Sequence, residues 1–282
     1  PVVMDLTDME ETKIIRENKS NKKLSIQVSL NGLSFCILDQ QEKKITYFKR
    51  IDFEKQLDPI KILSQIELTY ESEKELNQPV DDVVLLFTNS LFTLVPAILF
   101  DENNAASYLK FNTKILKTDF IAFDKIDKQI VNVYIPYANI TNYFFDKYGE
   151  FEYRHSLSVL IESLLHTYSK NNKPKVYLHS HLKTYELVII ENNKLIFANS
   201  FEYETKEDFL YYLLFTAEQL NLDPQEFELI LLGDISKDSE EYRMAWDYIR
   251  NISFMGPFHS FQFNSEAKPK EELTEYLLIK SL

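Results

Sequence analysis

Glycine is scarce in this sequence, and long apolar runs are missing. Only 4 of the 282 residues are Gly, whereas loops that wrap phosphate groups usually need glycines, because their backbone N–H groups must approach the phosphate closely. No stretch of 18 or more apolar residues occurs, so we expect no segment that spans a membrane. The longest apolar runs, such as residues 83–87, have the length of buried strands.

Cysteine and positive charge are also in short supply. The single Cys36 lies in an apolar, strand-like pattern and cannot form an internal disulfide, which is typical of a reducing compartment such as the cytoplasm. The 31 Lys and Arg residues against 44 Asp and Glu residues give a formal net charge of −13. This charge disfavours nucleic-acid binding, because that binding requires clustered basic side chains. Aromatic residues are plentiful, with 21 Phe and 17 Tyr, and they predict a folded core.

The first half of the chain contains three strand patterns, a helix pattern and a fourth strand pattern. Asn31 and Gly32 lie between the first two alternating runs, and this pair is a strong signal for a β-hairpin. Asp58 and Pro59 begin the helix, because Asp caps a helix and Pro fits its first position. The strand patterns cover residues 24–28, 33–38, 45–48 and 83–87.

The same succession recurs in the second half. Its helix pattern, over residues 205–220, begins with Thr205 and Asp208 at the spacing of a capping box. The strand patterns cover residues 176–178, 185–190, 195–198 and 227–232. The repeat distance of roughly 150 residues is the size of a domain and predicts an internal duplication into two lobes.

These patterns predict how the chain is divided. Residues 1–22 are a polar leader, residues 23–172 form an N-terminal lobe with an inserted small subdomain, and residues 173–282 form a C-terminal lobe. In the subdomain, Asp101 is expected to cap a short helix. The further strand patterns are 92–95, 120–123, 130–135 and 258–263, and the further helix patterns are 138–148, 156–168, 238–249 and a final one from 271.

The duplicated succession resembles the actin, heat-shock chaperone and sugar-kinase superfamily. Residues 94–101 and the short helix after them look like the subdomain of the cell-division and pilus-assembly members. The overall pattern is similar to an uncharacterised bacterial domain family placed in that superfamily. The resemblance covers most of the chain from Leu24 onward, lies in the order of the elements, and implies an α/β class. It also implies a two-lobed actin-like ATPase fold (a duplicated ribonuclease H-like fold) with mixed five-stranded sheets.

The phosphate-binding turns depart from the pattern that this resemblance implies. In active members each hairpin turn carries an acidic residue and glycines, which hold magnesium and the phosphates. Here Ser29 lies near the expected Asp position, and the second turn has neither Gly nor Asp. The candidate cofactor-binding residues of this degenerate cleft are Ser29, Asn31, Gly32, His179, His181, Lys183, Gly233 and Asp234. We expect no catalytic residue and at most weak binding of ATP and Mg²⁺.

Three functions are compatible with these observations. The first is a non-catalytic module that binds an unknown protein partner or acts as a scaffold, and oligomerisation would suit a superfamily that includes filament formers. The second is a residual nucleotide-binding protein. The third is a metal-dependent hydrolase, in which His179 and His181 hold a transition metal with help from His155 or Asp234, because residues two apart on a strand face one way. The alternative for this His pair is two polar residues at a strand end facing the cleft between the lobes.

Overall fold

The structure, a computed structural model, describes residues 20–111, 113, 115, 116, 119–167 and 173–282. Residues 1–19 of the expected leader lie outside the described residues. The strands are β1 (Lys22–Ser29), β2 (Gly32–Asp39), β3 (Lys44–Asp52), β4 (Asp82–Thr88), β5 (Phe92–Pro96), β6 (Ala122–Ile126), β7 (Ile130–Tyr134), β8 (Glu152–His155), β9 (Lys175–His181), β10 (Thr184–Glu191), β11 (Lys194–Glu202), β12 (Glu228–Gly233), β13 (Asn251–Phe254) and β14 (Gln262–Phe263). The α-helices are α1 (Pro59–Ser72), α2 (Ala105–Leu109), α3 (Ala138–Tyr148), α4 (Ser156–Thr167), α5 (Lys206–Gln219), α6 (Glu240–Tyr248) and α7 (Tyr276–Lys280).

Two of the sheets have the same strand order. The first sheet runs β14-β3-β2-β1-β4-β8 and the second runs β11-β10-β9-β12-β13. In each, an antiparallel meander of three strands is followed by two strands in parallel, so β4 lies between β1 and β8 as β12 lies between β9 and β13. The predicted succession is therefore present in both halves of the chain. The resemblance implies five strands in each sheet; the second sheet has five, and the first has six, including the two-residue β14.

Local signals set the helix ends as the sequence predicts. The side chain of Asp58 accepts hydrogen bonds from two backbone N–H groups at the start of α1, where Pro59 is the first residue. Thr205 and Asp208 form a capping box at the start of α5. Both arrangements satisfy donors that the first turn of a helix leaves free. Gly149, with a φ of +75°, follows the last residue of α3.

The segment inserted after β4 forms a small subdomain with its own sheet. The order of this antiparallel sheet is β5-β7-β6, and α2 packs on β5 and β7. Asp101 accepts a hydrogen bond from the backbone of Asn103 and begins a 3-10 turn, which precedes α2. The predicted short helix is therefore present, with a tighter first turn.

Two segments connect the first lobe (the first sheet, its helices and the subdomain) with the second lobe (the second sheet, α5 and α6). Helix α4 packs against β4 and β8 and also against β10 and β11. After β13 the chain returns to the first sheet, where β14 pairs with β3 and α7 packs on β1 and β2. The predicted C-terminal lobe, residues 173–282, thus contributes β14 and α7 to the first lobe. The domain boundary at residue 172 stays a prediction.

A few elements differ from the sequence patterns. The four-residue strands β8 and β13 were not predicted, since so short a run shows no periodicity. The strand expected over residues 258–263 is reduced to β14. Cys36 is buried, as expected.

In the part of the chain that the structure describes, no helix is long and apolar enough to cross a bilayer.

Candidate functional site

A cavity of about 270 Å³ lies between the two lobes. Its first-lobe wall consists of the β1–β2 turn, the start of α1, the segment after β4 and Tyr137. Its second-lobe wall consists of the cleft-facing ends of β9, β10 and β11. The predicted site residues that line it are Ser29, Asn31 and His181. Those that do not line it are Gly32, His179, Lys183, Gly233 and Asp234.

Six side chains share one face of the second sheet at this cleft. The strand register places Glu186 of β10 opposite His179 of β9 and opposite Ser200 of β11. The next row toward the hairpin turn consists of His181, Thr184 and Glu202. Opposed residues, and residues two apart along a strand, project from the same face. Antiparallel pairing therefore assembles this polar surface.

His179 and Glu186 form a buried pair. Their side chains are 3% and 4% exposed, and Nδ1 of His179 donates to Oε2 of Glu186 over 2.8 Å. Burial acts to raise the pKa of Glu186, but the hydrogen bond and the charge of His179 outweigh it and hold this pKa below its ordinary value. Glu186 is therefore ionised. Nε2 of His179 has no hydrogen-bond partner among the described residues.

Arg50 joins the two lobes. Its guanidinium, on β3, donates hydrogen bonds of 2.6 and 2.9 Å to Asp234, which follows β12. Arg50 also pairs with Asp52 and Glu275, and Nδ1 of His181 lies 3.3 Å from Asp234. Burial acts to raise the pKa of Asp234, but the hydrogen bonds and charges of His181 and Arg50 hold it well below its ordinary value. Asp234 is thus engaged in an ion pair between the lobes.

Both candidate glycines lie where neighbouring backbone leaves no room for a side chain. A Cβ on Gly233, which has a φ of +88°, would lie 2.0 Å from the backbone oxygen of Ser180. A Cβ on Gly32 would lie 2.8 Å from the backbone oxygen of Ile51. These contacts explain why glycine is needed for the packing of adjacent chain segments. The role of the two glycines in nucleotide binding stays a prediction.

The cavity wall carries two carboxylates and the imidazole of His181. Glu186 and Glu202 line it, and no Lys or Arg of the described chain does so. Lys183 lies instead in a more open hollow of about 470 Å³ that shares Glu202 with the cavity. Its Nζ is 3.5 Å from the backbone oxygen of Glu204 and 5.3 Å from the centre of the Tyr203 ring.

The transition-metal site that the sequence left as an alternative is not formed. Within the described ranges, no group of three or more His, Cys, Asp or Glu could hold a metal ion. His179 and His181 face different carboxylates, Glu186 and Asp234. His155 is directed elsewhere, because its Nε2 lies 3.0 Å from the backbone oxygen of Asn89.

Sequence reasoning missed Glu186, Glu202 and Arg50. A signal for Glu186 was present, because a charged residue interrupts the apolar run 185–190 and the hairpin turn sets its register against His179. No local signal marks Arg50, since its partner Asp234 is 184 residues away.

We expect His155 to make the protein lose stability in mild acid. His155 is 1% exposed, and burial lowers its pKa from 6.5 to about 4. Between these pH values the unfolded state binds more protons than the native state, so stability falls as the pH falls from 6.5 through 4, by about 3 kcal/mol in all. Urea unfolding of the wild type and of His155→Gln at several pH values measures this loss. Equal pH slopes in the two proteins would contradict it.

The strand order of the two sheets and the cleft between them are those of a class of proteins, the actin-like ATPase fold. A protein of this fold and of unknown function from Bacteroides thetaiotaomicron superposes with a TM-score of 0.73 at 22% identity, over 92% of this chain and 96% of that chain. The PilM–PilN complex of type IV pilus biogenesis superposes with a TM-score of 0.57 at 12% identity, over 92% of this chain and 96% of that chain. The predicted two-lobed fold is confirmed.

The family follows from the sequence. The model of a family described as protein of unknown function (DUF3822) matches residues 11–252, and the chain belongs to this family. The resemblance to an uncharacterised domain family within the actin-like superfamily is therefore confirmed. No curated protein matches the chain.

Proposed function

We propose that this protein is a non-catalytic member of the actin-like superfamily that binds another protein in the cytoplasm. The observation that carries this proposal is that two carboxylates, those of Glu186 and Glu202, line the cavity, whereas no described Lys or Arg does so. Proteins stabilise the charge of a triphosphate with cationic side chains, metal ions and backbone N–H groups. The nearby Arg50 is already paired with three carboxylates. A cavity lined by Glu186 and Glu202, with no unpaired Arg50 to bind phosphate, is poorly suited to magnesium triphosphate.

Exposed apolar side chains of the subdomain support a role in protein binding. Ile98 and Phe111 are each 93% exposed. The subdomain also has a groove of about 600 Å³ between the start of α2 and β6, with Phe120 and Tyr153 in its wall. Exposed apolar side chains beside a groove are typical of surfaces that bind partners. That a structure of the same fold is a complex, PilM–PilN, is consistent with such a role.

The test has a nucleotide arm and a partner arm. In the nucleotide arm, we expect millimolar ATP with Mg²⁺ to leave the melting temperature unchanged and to release no phosphate. A ligand at 100 times its Kd would stabilise the protein by about 2.7 kcal/mol, which is a shift of several degrees. If such a shift appears and is lost in His181→Ala, the protein is a residual nucleotide binder instead.

The partner arm compares proteins captured from cells by the wild type and two variants. Phe120→Glu places a charge in the groove, whereas Leu68→Glu places one at a similarly exposed site on α1, since these residues are 52% and 55% exposed. We expect one protein to be captured by the wild type and by Leu68→Glu and to be lost with Phe120→Glu. Equal capture by all three would argue against this groove as the binding surface.

A further inference from the structure

A groove of about 360 Å³ lies between helices α5 and α6 of the second lobe, which pack against each other. Six residues of α5 line it, from Glu207 to Glu218 at the spacing i, i+3, i+4, i+7, i+8 and i+11. Residues at this spacing share one face of a helix. The other lining residues, Met244 and Tyr248, come from α6. Because a helix rises 1.5 Å per residue, the groove is about three helical turns long.

The lining of this groove is apolar and exposed. The structure describes five exposed large apolar side chains in the second lobe, and three of them, Tyr211, Phe215 and Tyr248, line the groove at 59%, 46% and 55% exposure. The rings of Tyr211 and Phe215 are stacked, with their centroids 5.7 Å apart. Exposed aromatic side chains that are grouped in a groove are typical of a surface that binds a partner.

Carboxylates lie at both ends of this apolar lining. Glu207 and Glu218 are exposed, and neither forms an ion pair with a described residue. Helices α5 and α6 together carry six Asp and Glu residues against one Lys and one Arg. The Lys206 ammonium is paired with Glu240 at 3.3 Å, and no described Lys, Arg or His lines the groove. The partial positive charge at the N-terminus of α5 is offset by the capping Asp208. The groove therefore attracts positive charge.

These features select among the classes of occupant. A strand has no edge to pair with, because the walls are helices whose backbone groups are bonded within the helix. Nucleic acid and anionic membranes carry negative charge and would be repelled. A second copy of this chain, with a formal net charge of −13, would also bring like charge to the groove. A helix with an apolar face and basic residues at its ends matches both the lining and the charge.

We propose that this groove binds an amphipathic helix of a partner protein, whose apolar face packs on the aromatic rings and whose Lys or Arg residues pair with Glu207 and Glu218. A helix that lies in an apolar groove makes contact through residues at i, i+3, i+4 and i+7, which is also the spacing of the α5 wall. Basic residues about 11 positions apart on that helix would lie opposite the two carboxylates. This surface belongs to the second lobe and is separate from the groove of the subdomain.

Fluorescence anisotropy of a labelled synthetic peptide, titrated with the full chain, tests this proposal. The peptide has about 14 residues, with Leu at i, i+3, i+4 and i+7 and Lys elsewhere, so that it can form an amphipathic helix. At physiological ionic strength we expect saturable binding to one site. Its affinity should be at least about tenfold higher than that of a scrambled peptide of the same composition. Absence of binding, or equal binding of the two peptides, would overturn the proposal.

A first pair of variants tests the apolar contact. Phe215→Ser removes an aromatic ring from the groove and should weaken peptide binding by about tenfold or more. Leu68→Ser is the matched control, since Leu68 is similarly exposed (55% against 46%) but lies on α1. Equal affinities of these two variants for the peptide would reject the groove as the binding surface.

A second pair of variants tests the ion pairs. The double variant Glu207→Gln, Glu218→Gln should weaken peptide binding by about tenfold or more, because two ion pairs are lost. The control, Glu67→Gln, Glu71→Gln, removes two exposed carboxylates from α1 and changes the net charge equally. If both double variants weaken binding to the same extent, the attraction is diffuse and the site is rejected.

The same variants separate this proposal from other occupants. Self-association, or binding to phosphatidylglycerol vesicles, that is lost in Phe215→Ser would assign the groove to a second copy or to a membrane and would overturn the proposal. Phe120→Glu changes the other lobe and should leave peptide binding unchanged. This inference and the proposed function can therefore fail separately.

Discussion

The variant Gly233→Ala is expected to lose about 3–5 kcal/mol of unfolding free energy, which is the sum of overpacking and backbone strain. The new Cβ would lie 2.0 Å from the oxygen and 2.8 Å from the nitrogen of Ser180, and both atoms belong to backbone that cannot rotate away. The φ of +88° adds strain for any residue with a side chain. Since Gly233 pairs with Ser180 across β12 and β9, relief of the clash must separate two central strands. Chemical unfolding measures the loss.

The matched control for this loss is Gly256→Ala. A Cβ on Gly256 meets no atom within 4 Å, and its φ is outside the left-handed region. The substitution should therefore be neutral or stabilise by up to about 1 kcal/mol, because alanine restricts the unfolded chain. If Gly233→Ala and Gly256→Ala unfold at the same denaturant concentration, the close approach of β12 to β9 is not what requires glycine at position 233.

The second large effect is expected for Arg50→Ala, which should lose about 3–5 kcal/mol, as is usual when one partner of a buried ion pair is removed. The substitution leaves Asp234 and Glu275 without their cation, and these side chains are only 19% and 4% exposed. Because Arg50 and Asp234 belong to different lobes, the change should also open the cleft. Chemical unfolding measures the first effect, and an increased radius of gyration in X-ray scattering measures the second.

The neighbouring residue provides the control for Arg50. Lys49 pairs with Glu73 at 3.0 Å, but its side chain is 42% exposed, so Lys49→Ala should cost at most about 1 kcal/mol. The double variant Arg50→Met, Asp234→Asn should lose less than the sum of the single variants, because it removes both charges of one pair. Equal losses for Lys49→Ala and Arg50→Ala would show that the cluster does not hold the lobes together.

Most of the fold was predictable because its signals are local. The Asn31-Gly32 turn, the Asp58 cap and the Thr205–Asp208 capping box each act within a few residues, and the structure contains all three. Apolar alternation likewise fixed the meander in each half. The strand predicted over residues 258–263 is only two residues long in the structure, as β14. Its length was not predictable, because these two residues acquire strand geometry only by pairing with β3.

The composition of the cleft was only partly predictable. The sequence alone established that its turns are poor in glycine and acidic residues, because this is a matter of which residues follow which strand. It could not show that Gly32 and Gly233 lie against neighbouring backbone. These contacts exist only once the strands are adjacent.

The sequence by itself determined the order of elements, the helix ends and the scarcity of phosphate-binding glycines, because propensity, capping and periodicity act over short stretches of chain. Only the tertiary structure decided the charge of the cleft. Arg50 donates a hydrogen bond to Asp234, which lies 184 residues further along the chain. Glu186, Glu202 and Tyr137 come from separate segments and line one cavity. Contacts of this kind depend on how the two lobes pack, and no local sequence pattern predicts them.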